Sequence, residues 1–268
     1  MPYRFFLIPI IAILMAYLCY IFYNDKDPNG IILVGLVSVA VCIVVFQHQI
    51  NNWFWIGKTQ DLDQKEKDWI DVHLPYIFEL SIGEKNEFYR ELARICQLHE
   101  FIPMGNFKIH EEIKWMCLGP AIRLKIYRDT TLYHHYKRTV IYPHPFLSPE
   151  MDYIHISETY AEDGVLIFSA EQLMNCHLLH NEYFNPALYE WCKLFVDAHS
   201  NKVNLEDLNI ANLDESQLIK PSYETILQWM GQSKLDVKSL FVYLYLCNPT
   251  SARIKFPELA TQIESILT

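Results

Sequence analysis

The sequence of 268 residues has little glycine, no excess of positive charge and no ordered pattern of cysteines. Its eight glycines are scattered and form neither GxGxxG nor GxxxxGK[ST], so no phosphate-binding loop is indicated. A GxSxG motif, typical of serine hydrolases, is also absent. The seven cysteines are odd in number and include no CxxC pair. This pattern favours free thiols over a disulfide framework or a zinc ribbon.

The charge of the chain lies entirely beyond its first 50 residues. The net charge is −10, while Arg4 and Lys26 are balanced by Asp25 and Asp27. A nucleic-acid backbone needs a basic face, so the acidic part excludes phosphate-backbone binding and predicts no nucleic-acid partner. An anionic lipid surface would repel the same part, so any membrane attachment has to come from apolar burial.

Two long uncharged runs occupy the N-terminus. Residues 5–23 and about 31–50 are separated by the turn-like segment 24–30, and each run could cross a bilayer as a helix. No small-x-small cleavage site follows the first run, which argues against a signal peptide. We therefore predict a transmembrane helical hairpin in residues 1–57 with membrane lipid as its partner, and Trp53–Trp55 at the interface.

The positive charges flanking the two runs predict the orientation. Arg4 precedes the first run, and Lys58, Lys65 and Lys67 follow the second. Positive residues favour the cytoplasmic side of a membrane. Both ends of the hairpin, and the domain that follows it, are therefore expected to face the cytoplasm. Residues 58–68 have a single apolar residue and are interpreted as a charged linker, either a solvated tether or a polar helix.

Residues 69–268 are long enough for one domain with a sizeable core. Ser81 and Glu84 form a capping-box pattern, which predicts a helix from there to about Leu98. A helix over 112–127 should be kinked or divided at Pro120. Short β-branched runs at 137–142, 152–157 and 164–169 predict strands, and helices are predicted at about 170–181, 186–198, 222–231, 236–247 and 257–267. The fold class is α+β: a mostly helical domain with a small sheet.

The order and spacing of these segments resemble the MtfA family, the Mlc titration factor A-like zinc metallopeptidases. The similarity covers about 69–267 and implies the fold of such a peptidase. It is carried by the following residues: Phe88, Leu92, Ala93 and Phe101, Val140–Pro143 and Phe146, His155, Glu158, Thr159 and Gly164–Ser169, and Asn248, Pro249 and Phe256–Leu259.

The resemblance implies an HExxH helix with a later acidic ligand, but no HExxH occurs in this sequence. In that motif two imidazoles one helical turn apart bind zinc, and the glutamate between them activates a zinc-bound water. Aligned with the family, Tyr189 and Lys193 stand where the two histidines would be. Glu190 retains the general-base position, and Asp236 falls at the acidic ligand. The plain alternative is an ordinary amphipathic helix in which Glu190 and Lys193 form a pair at i,i+3.

A second set of possible ligands lies just upstream. His177 and His180 can share one helix face, and Glu182 could complete a relocated zinc site. Our main expectation is nevertheless a catalytically inactive domain with no cofactor, which binds a protein or peptide partner in the former substrate cleft. An active zinc peptidase with relocated ligands and a structural subunit of a membrane complex are the alternatives. The expected location is a bacterial inner membrane, with the domain in the cytoplasm.

Overall fold

The structure is a computed structural model. It describes residues 3–24, 27–47, 50, 61–128, 130–149, 151–179, 182–201, 208, 213 and 221–267, with Thr130 and Thr131 described by their backbone alone. The chain divides into two compact units, residues 1–60 and 61–268. Of the expected interface and linker residues, Trp53–Trp55 and Lys58 lie outside the described residues.

The first unit contains two apolar helices, α1 (Tyr3–Asn24) and α2 (Gly30–Val45). At about 1.5 Å per residue, the 22 residues of α1 extend roughly 33 Å, which is long enough to cross a bilayer. The 16 residues of α2 end before Phe46, within the predicted second run of 31–50, and helical hydrogen bonding resumes beyond it, where the N–H of Ile50 donates to the carbonyl of Phe46. The two helices contact each other, and the backbone N–H of Asn29 donates to Tyr17 Oη at 3.0 Å.

The second unit begins before the predicted boundary at residue 69. Helix α3 (Gln64–His73) starts inside the expected linker and continues past that boundary. Asp63 caps α3, since its carboxylate accepts from the backbone N–H of Glu66 while Glu66 accepts from the N–H of Asp63. Of the two forms expected for residues 58–68, the described part thus contains the beginning of a polar helix.

Capping residues explain where several helices of the second unit begin. Helix α4 (Ile82–Leu98) has the predicted capping box of Ser81 and Glu84. The helices from there to the C-terminus are α5 (Glu111–Arg123), α6 (Thr130–His135), α7 (Ala170–Leu178), α8 (Pro186–Ala198), α9 (Tyr223–Met230), α10 (Val237–Cys247), α11 (Pro249–Lys255) and α12 (Pro257–Leu267), with 3₁₀ turns at Pro75–Ile77 and Ile126–Arg128. Asn185, Ser222, Asp236 and Asn248 are side-chain caps of α8, α9, α10 and α11.

Helix α5 continues through Pro120 for three residues. The division predicted at that proline occurs instead at Leu124 and Lys125, where the positive φ of Lys125 (55°) separates α5 from the following 3₁₀ turn. Pro120 itself lies in the buried part of α5. The interruption therefore follows the backbone conformation of Lys125 and not the missing amide of the proline.

Four strands form the main sheet in the order β1–β2–β6–β5. The strands β1 (Glu100–Pro103), β2 (Arg138–Tyr142) and β6 (Val165–Ser169) are parallel, and β5 (Ser157–Tyr160) is an antiparallel edge. A separate antiparallel pair consists of β3 (Phe146–Ser148) and β4 (Met151–His155). The mixed α+β class that the sequence indicated is confirmed.

The predicted strand over 152–157 is two strands in two different sheets. The chain leaves the small pair at His155 and enters the main sheet at Ser157. Between them, the N–H of Ile156 donates to the carbonyl of Trp229, and its carbonyl accepts from the N–H of Ser169. The backbone of Ile156 therefore connects α9 to the end of β6, so the ladder of β4 cannot continue into β5.

Helix α8 lies at the centre of the second unit. Residues 186–192 are all buried, and α8 packs against α5, α10 and strands β5 and β6. Trp191 is fully buried, and its Nε1–H donates to the carbonyl of Cys117 in α5 at 2.7 Å. This packing places the side chains of α8 between the sheet on one side and α10 on the other.

Candidate functional site

Glu190 is a buried carboxylate in the middle of α8, with no exposed surface. Its Oε1 accepts from Ser157 Oγ at 2.9 Å, and its Oε2 accepts from Thr159 Oγ1 at 2.7 Å and from Lys193 Nζ at 2.8 Å. Ser157 and Thr159 alternate along β5, so their hydroxyls point to the same side of the edge strand. The Glu–Lys pair at i,i+3 that the plain alternative predicted is present, and its acid is fully buried and accepts from three donors.

Lys193 is the cation of this cluster and is partly accessible, with 30% of its side chain exposed. Burial lowers its pKa, but the charge and hydrogen bond of Glu190 outweigh that effect, and the net shift of the Lys193 pKa is upward. Its Nζ also lies 6.0 Å from the ring centre of Tyr189. The ammonium is therefore held in its charged form above the aromatic ring, beside the buried carboxylate.

Tyr189 and Asp236 meet through the start of α10. The backbone N–H of Asp236 donates to Tyr189 Oη at 3.1 Å, and burial raises the pKa of the Tyr189 phenol, which therefore stays protonated. The Asp236 carboxylate caps α10 by accepting from the N–H of Ser239 at 2.8 Å and from its hydroxyl. The four residues that the resemblance implies, Tyr189, Glu190, Lys193 and Asp236, are thus brought together in one place.

Asp197, one helical turn beyond Lys193, adds a second exposed carboxylate beside Asp236. Partial burial and the charge of Asp236 raise the pKa of Asp197, and the charge of Lys193 opposes that rise. We call Tyr189, Glu190, Lys193, Asp197 and Asp236 the lysine cluster. Sequence reasoning missed Asp197, although its i,i+4 spacing from Lys193 was a usable signal.

The donor set of the lysine cluster does not fit a zinc ion. The zinc position that the resemblance implies needs two neutral imidazoles and a carboxylate. Here one position holds a protonated phenol that already accepts a hydrogen bond, and the other holds an ammonium. The Glu190 oxygens already accept from three donors, and the carboxylate is fully buried. The lysine cluster therefore lacks the ligand set of the zinc site that the resemblance implies.

Of the upstream set of possible ligands, the structure describes His177 and Glu182. His177 is buried, with Nδ1 2.7 Å from the carbonyl of Leu173 and Nε2 3.4 Å from the side-chain nitrogen of Asn185. Its Nδ1 is therefore the protonated nitrogen and Nε2 accepts. Glu182 is exposed, and His180 lies outside the described residues. Across the described ranges, no three His, Cys, Asp or Glu side chains form a metal-binding group.

Cys176, His177 and Asn185 have the residue types of a cysteine-protease triad. Cys176 Sγ lies 3.1 Å from Nδ1 of His177. That nitrogen carries its proton toward Leu173, so it cannot accept the thiol proton, and burial raises the pKa of Cys176 well above its ordinary value. The thiol is therefore neutral and unactivated, and these three residues have a structural role.

A second buried acid lies on the opposite face of β5. Glu158 Oε2 is 3.3 Å from Nε2 of the buried His155, and Glu158 Oε1 accepts from Ser148 Oγ at 3.2 Å. Nδ1 of His155 donates to the carbonyl of Tyr153, so one proton has to lie between Nε2 and the carboxylate. This pair joins the small two-stranded sheet to the main sheet.

The comparisons with known proteins place the chain in no family. No protein-family model matches the sequence. No curated protein is similar enough to count as a relative.

Proposed function

We propose that this protein is a membrane-anchored binding module with an MtfA-like domain that does not hydrolyse peptide bonds. The observation that carries the proposal is the three-donor environment of Glu190, with the Lys193 ammonium at 2.8 Å. A tethered ammonium supplies the positive charge that a bound cation would otherwise supply to the carboxylate. The negative charge of the buried Glu190 carboxylate is therefore balanced without a metal ion.

The anchor in this proposal is a helical hairpin of α1 and α2. Support comes from the length and apolar surface of α1 and from the contact between α1 and α2. Local thinning of the bilayer would accommodate the shorter length of α2. The flanking positive charges favour a cytoplasmic position for both ends of the hairpin and for the domain.

The binding surface in this proposal is the accessible rim of the lysine cluster. Asp197 and Asp236 are exposed there, and Lys193 is partly exposed, while Tyr189 and Glu190 form the buried floor. Two carboxylates and an ammonium, of which Asp236 and Lys193 are held by hydrogen bonds, can orient the complementary charges of a protein or peptide segment. The partner class is therefore a polar protein segment that carries charges of both signs.

Peptide hydrolysis by the full chain tests the proposal. The chain would be purified in detergent micelles and incubated with a mixed peptide library, with and without the zinc chelator 1,10-phenanthroline, beside the Glu190→Gln variant. We expect no cleavage above the buffer background in any of these samples. Cleavage that the chelator and the Glu190→Gln substitution both abolish would refute the non-hydrolytic role.

Site-specific photo-crosslinking tests the binding surface. A photoreactive amino acid at Asp197 should give a discrete adduct in cells, and Lys193→Met should weaken that adduct because the ammonium orients the partner. The same photoreactive group at Glu162, which is exposed on the β5–β6 turn, is the matched control. Equal adducts from both positions, or an adduct unaffected by Lys193→Met, would contradict a partner site at the rim.

A further inference from the structure

A cavity of about 460 Å³ lies between the end of α4, strand β1 and the start of α5, apart from the lysine cluster. The segment 104–110, which joins β1 to α5, contributes to its wall. Its volume falls within the roughly 300–1,000 Å³ range of small-molecule pockets. The lining residues are Cys96, His99, Phe101, Pro103, Phe107, Lys108, Ile109 and Lys114.

The walls of this cavity are mainly apolar, and its charged groups are cationic. Two phenylalanine rings, Pro103 and Ile109 supply apolar surface, while Lys108 and Lys114 supply two ammonium groups. None of the lining residues is an acid, although the described domain is acidic as a whole. Lys114 forms an ion pair with Glu111, whose Oε1 is 2.5 Å from Lys114 Nζ. The cavity therefore combines apolar walls with two lysines, of which Lys114 is paired with Glu111 outside the lining.

His99 gives the cavity wall a buried polar atom without a partner. The residue is only 6% exposed, and its Nε2 lies 2.8 Å from Thr139 Oγ1. Within the part of the chain that the structure describes, its Nδ1 has no hydrogen-bond partner. Burial lowers the pKa of His99 to about 3, so the ring is neutral near pH 7. A buried nitrogen left unpaired is costly, and a bound group that pairs with it recovers that cost.

Tyr133, next to His99, is a second residue with a buried polar atom that lacks a hydrogen-bond partner among the described residues. Its ring centre is 6.3 Å from that of His99, and the buried atom is its hydroxyl oxygen. Two neighbouring polar groups with unmet hydrogen bonds are unusual in a native core. Phe101 stacks obliquely on the other side of His99, with ring centres 4.9 Å apart.

We propose that this cavity binds a small organic anion with a flat apolar body, of the arylcarboxylate type. The two lysines attract the acidic head, His99 Nδ1 hydrogen-bonds it, and Phe101 and Phe107 contact the apolar body. A purely inorganic anion would leave the apolar walls uncovered, and a neutral compound would not use the lysines. The proposal does not rest on the proposed function, because the cavity shares no residue with the lysine cluster.

Calorimetric titration of the full chain in nanodiscs tests the ligand class. The probes are phenylacetate, phenyl phosphate and octanoate, each beside an uncharged isostere such as 2-phenylacetamide, with empty nanodiscs as the partition control. At least one anion should bind saturably, and its isostere roughly 10-fold more weakly, a factor that corresponds to about 1.4 kcal/mol. Preference for phenylacetate supports the arylcarboxylate assignment, and preference for octanoate or phenyl phosphate overturns it.

Substitutions of residues in the cavity lining test whether the anion binds there. Lys108→Met and His99→Gln should each weaken the best anion by roughly 5- to 10-fold. Glutamine can keep the bond to Thr139 while it removes Nδ1, and near-native circular dichroism would show that these variants fold. Lys234→Met, at an exposed lysine outside the lining, is the matched control and should change nothing. Absence of saturable binding by all three anions, equal binding of the isosteres, or insensitivity to Lys108→Met and His99→Gln would each overturn the proposal.

Discussion

Lys193 Nζ lies 2.8 Å from Oε2 of Glu190, and Ser157 and Thr159 donate to the same carboxylate from β5. The acid is fully buried while the lysine reaches the surface. Removing one member of a buried ion pair leaves the other charge buried without a partner. This lowers the stability of the folded state far more than breaking an exposed pair does. The stability of the domain should therefore depend strongly on the contact between Glu190 and Lys193.

Glu190→Ala should lower the free energy of unfolding by about 3 kcal/mol, because two hydroxyls and an ammonium lose their acceptor. Chemical unfolding of the full chain in detergent, followed by tryptophan fluorescence, measures this loss. The matched control is Glu111→Ala, which removes an i,i+3 partner of Lys114 that is 58% exposed and should cost less than about 1 kcal/mol. Similar losses for the two variants would show that Glu190 has no special role.

Gly164→Ala should destabilise the domain by more than about 2 kcal/mol. Gly164 has φ +61°, and an added Cβ would overlap the backbone carbonyl oxygen of His135, which cannot move as a side chain can. Gly83→Ala is the control, since nothing lies within 4 Å of its added Cβ and it is in the first turn of α4. That change should be neutral or stabilising by up to about 1 kcal/mol. A tolerated Gly164→Ala would contradict the close approach of β6 to α6.

His99 should make the domain less stable as the pH falls below about 6.5. Its pKa is lowered to about 3 in the folded chain by burial, so the unfolded chain takes up a proton that the folded chain does not. The stability that neutral His99 contributes is thus complete above the unfolded pKa and is lost progressively down to about pH 3. Between pH 7 and pH 5 the loss should be at most about 2 kcal/mol.

Unfolding of the wild type and of His99→Gln at pH 7 and pH 5 measures this effect as a double difference. Glutamine does not titrate, so the variant should lose less stability on acidification than the wild type. Other groups that titrate are common to both proteins and cancel. Equal pH dependence of the two chains would show that His99 is protonated normally in the folded state.

The proposed orientation of the anchor predicts a cytoplasmic C-terminus. In a bacterial host, green fluorescent protein fused after Thr268 should fluoresce, and alkaline phosphatase fused at the same point should be inactive. The fusion proteins should need detergent for extraction, because α1 is apolar over its whole length. Active phosphatase with a dark fluorescent fusion would mean that an odd number of helices crosses the membrane, or that the hairpin is inverted.

Elements defined by local signals were predictable from the sequence. The Ser81–Glu84 box set the start of α4, and Asn185 followed by Pro186 marked the start of α8 at the predicted residue. Long-range contacts were not predictable in the same way. The division of strand 152–157 depends on a hydrogen bond between Ile156 and Trp229, which are far apart in the sequence.

The residues of the candidate site could be predicted from the sequence, but the burial and the contacts of Glu190 could not. The resemblance indicated Tyr189, Glu190, Lys193 and Asp236, and the structure brings them together through the bonds of Tyr189 to Asp236 and of Lys193 to Glu190. To predict the burial of Glu190, one would have needed the position of β5. The alternating hydroxyls of Ser157 and Thr159 were the only local sign of it. The cavity beside His99 depends on the path of segment 104–110, for which the sequence offered no motif.

The zinc content of the purified chain tests the central claim that Lys193 replaces a bound metal. After dialysis against buffered zinc, mass spectrometry of the wild type should find well under one zinc per chain, on the order of one-tenth or less. The double substitution Tyr189→His with Lys193→His, which supplies both missing imidazoles around Glu190, should raise this toward one, and adding Asp236→Asn should lower it again. One equivalent of zinc in the wild type, retained when Glu190 is changed to Gln and lost when Asp236 is changed to Asn, would contradict the account.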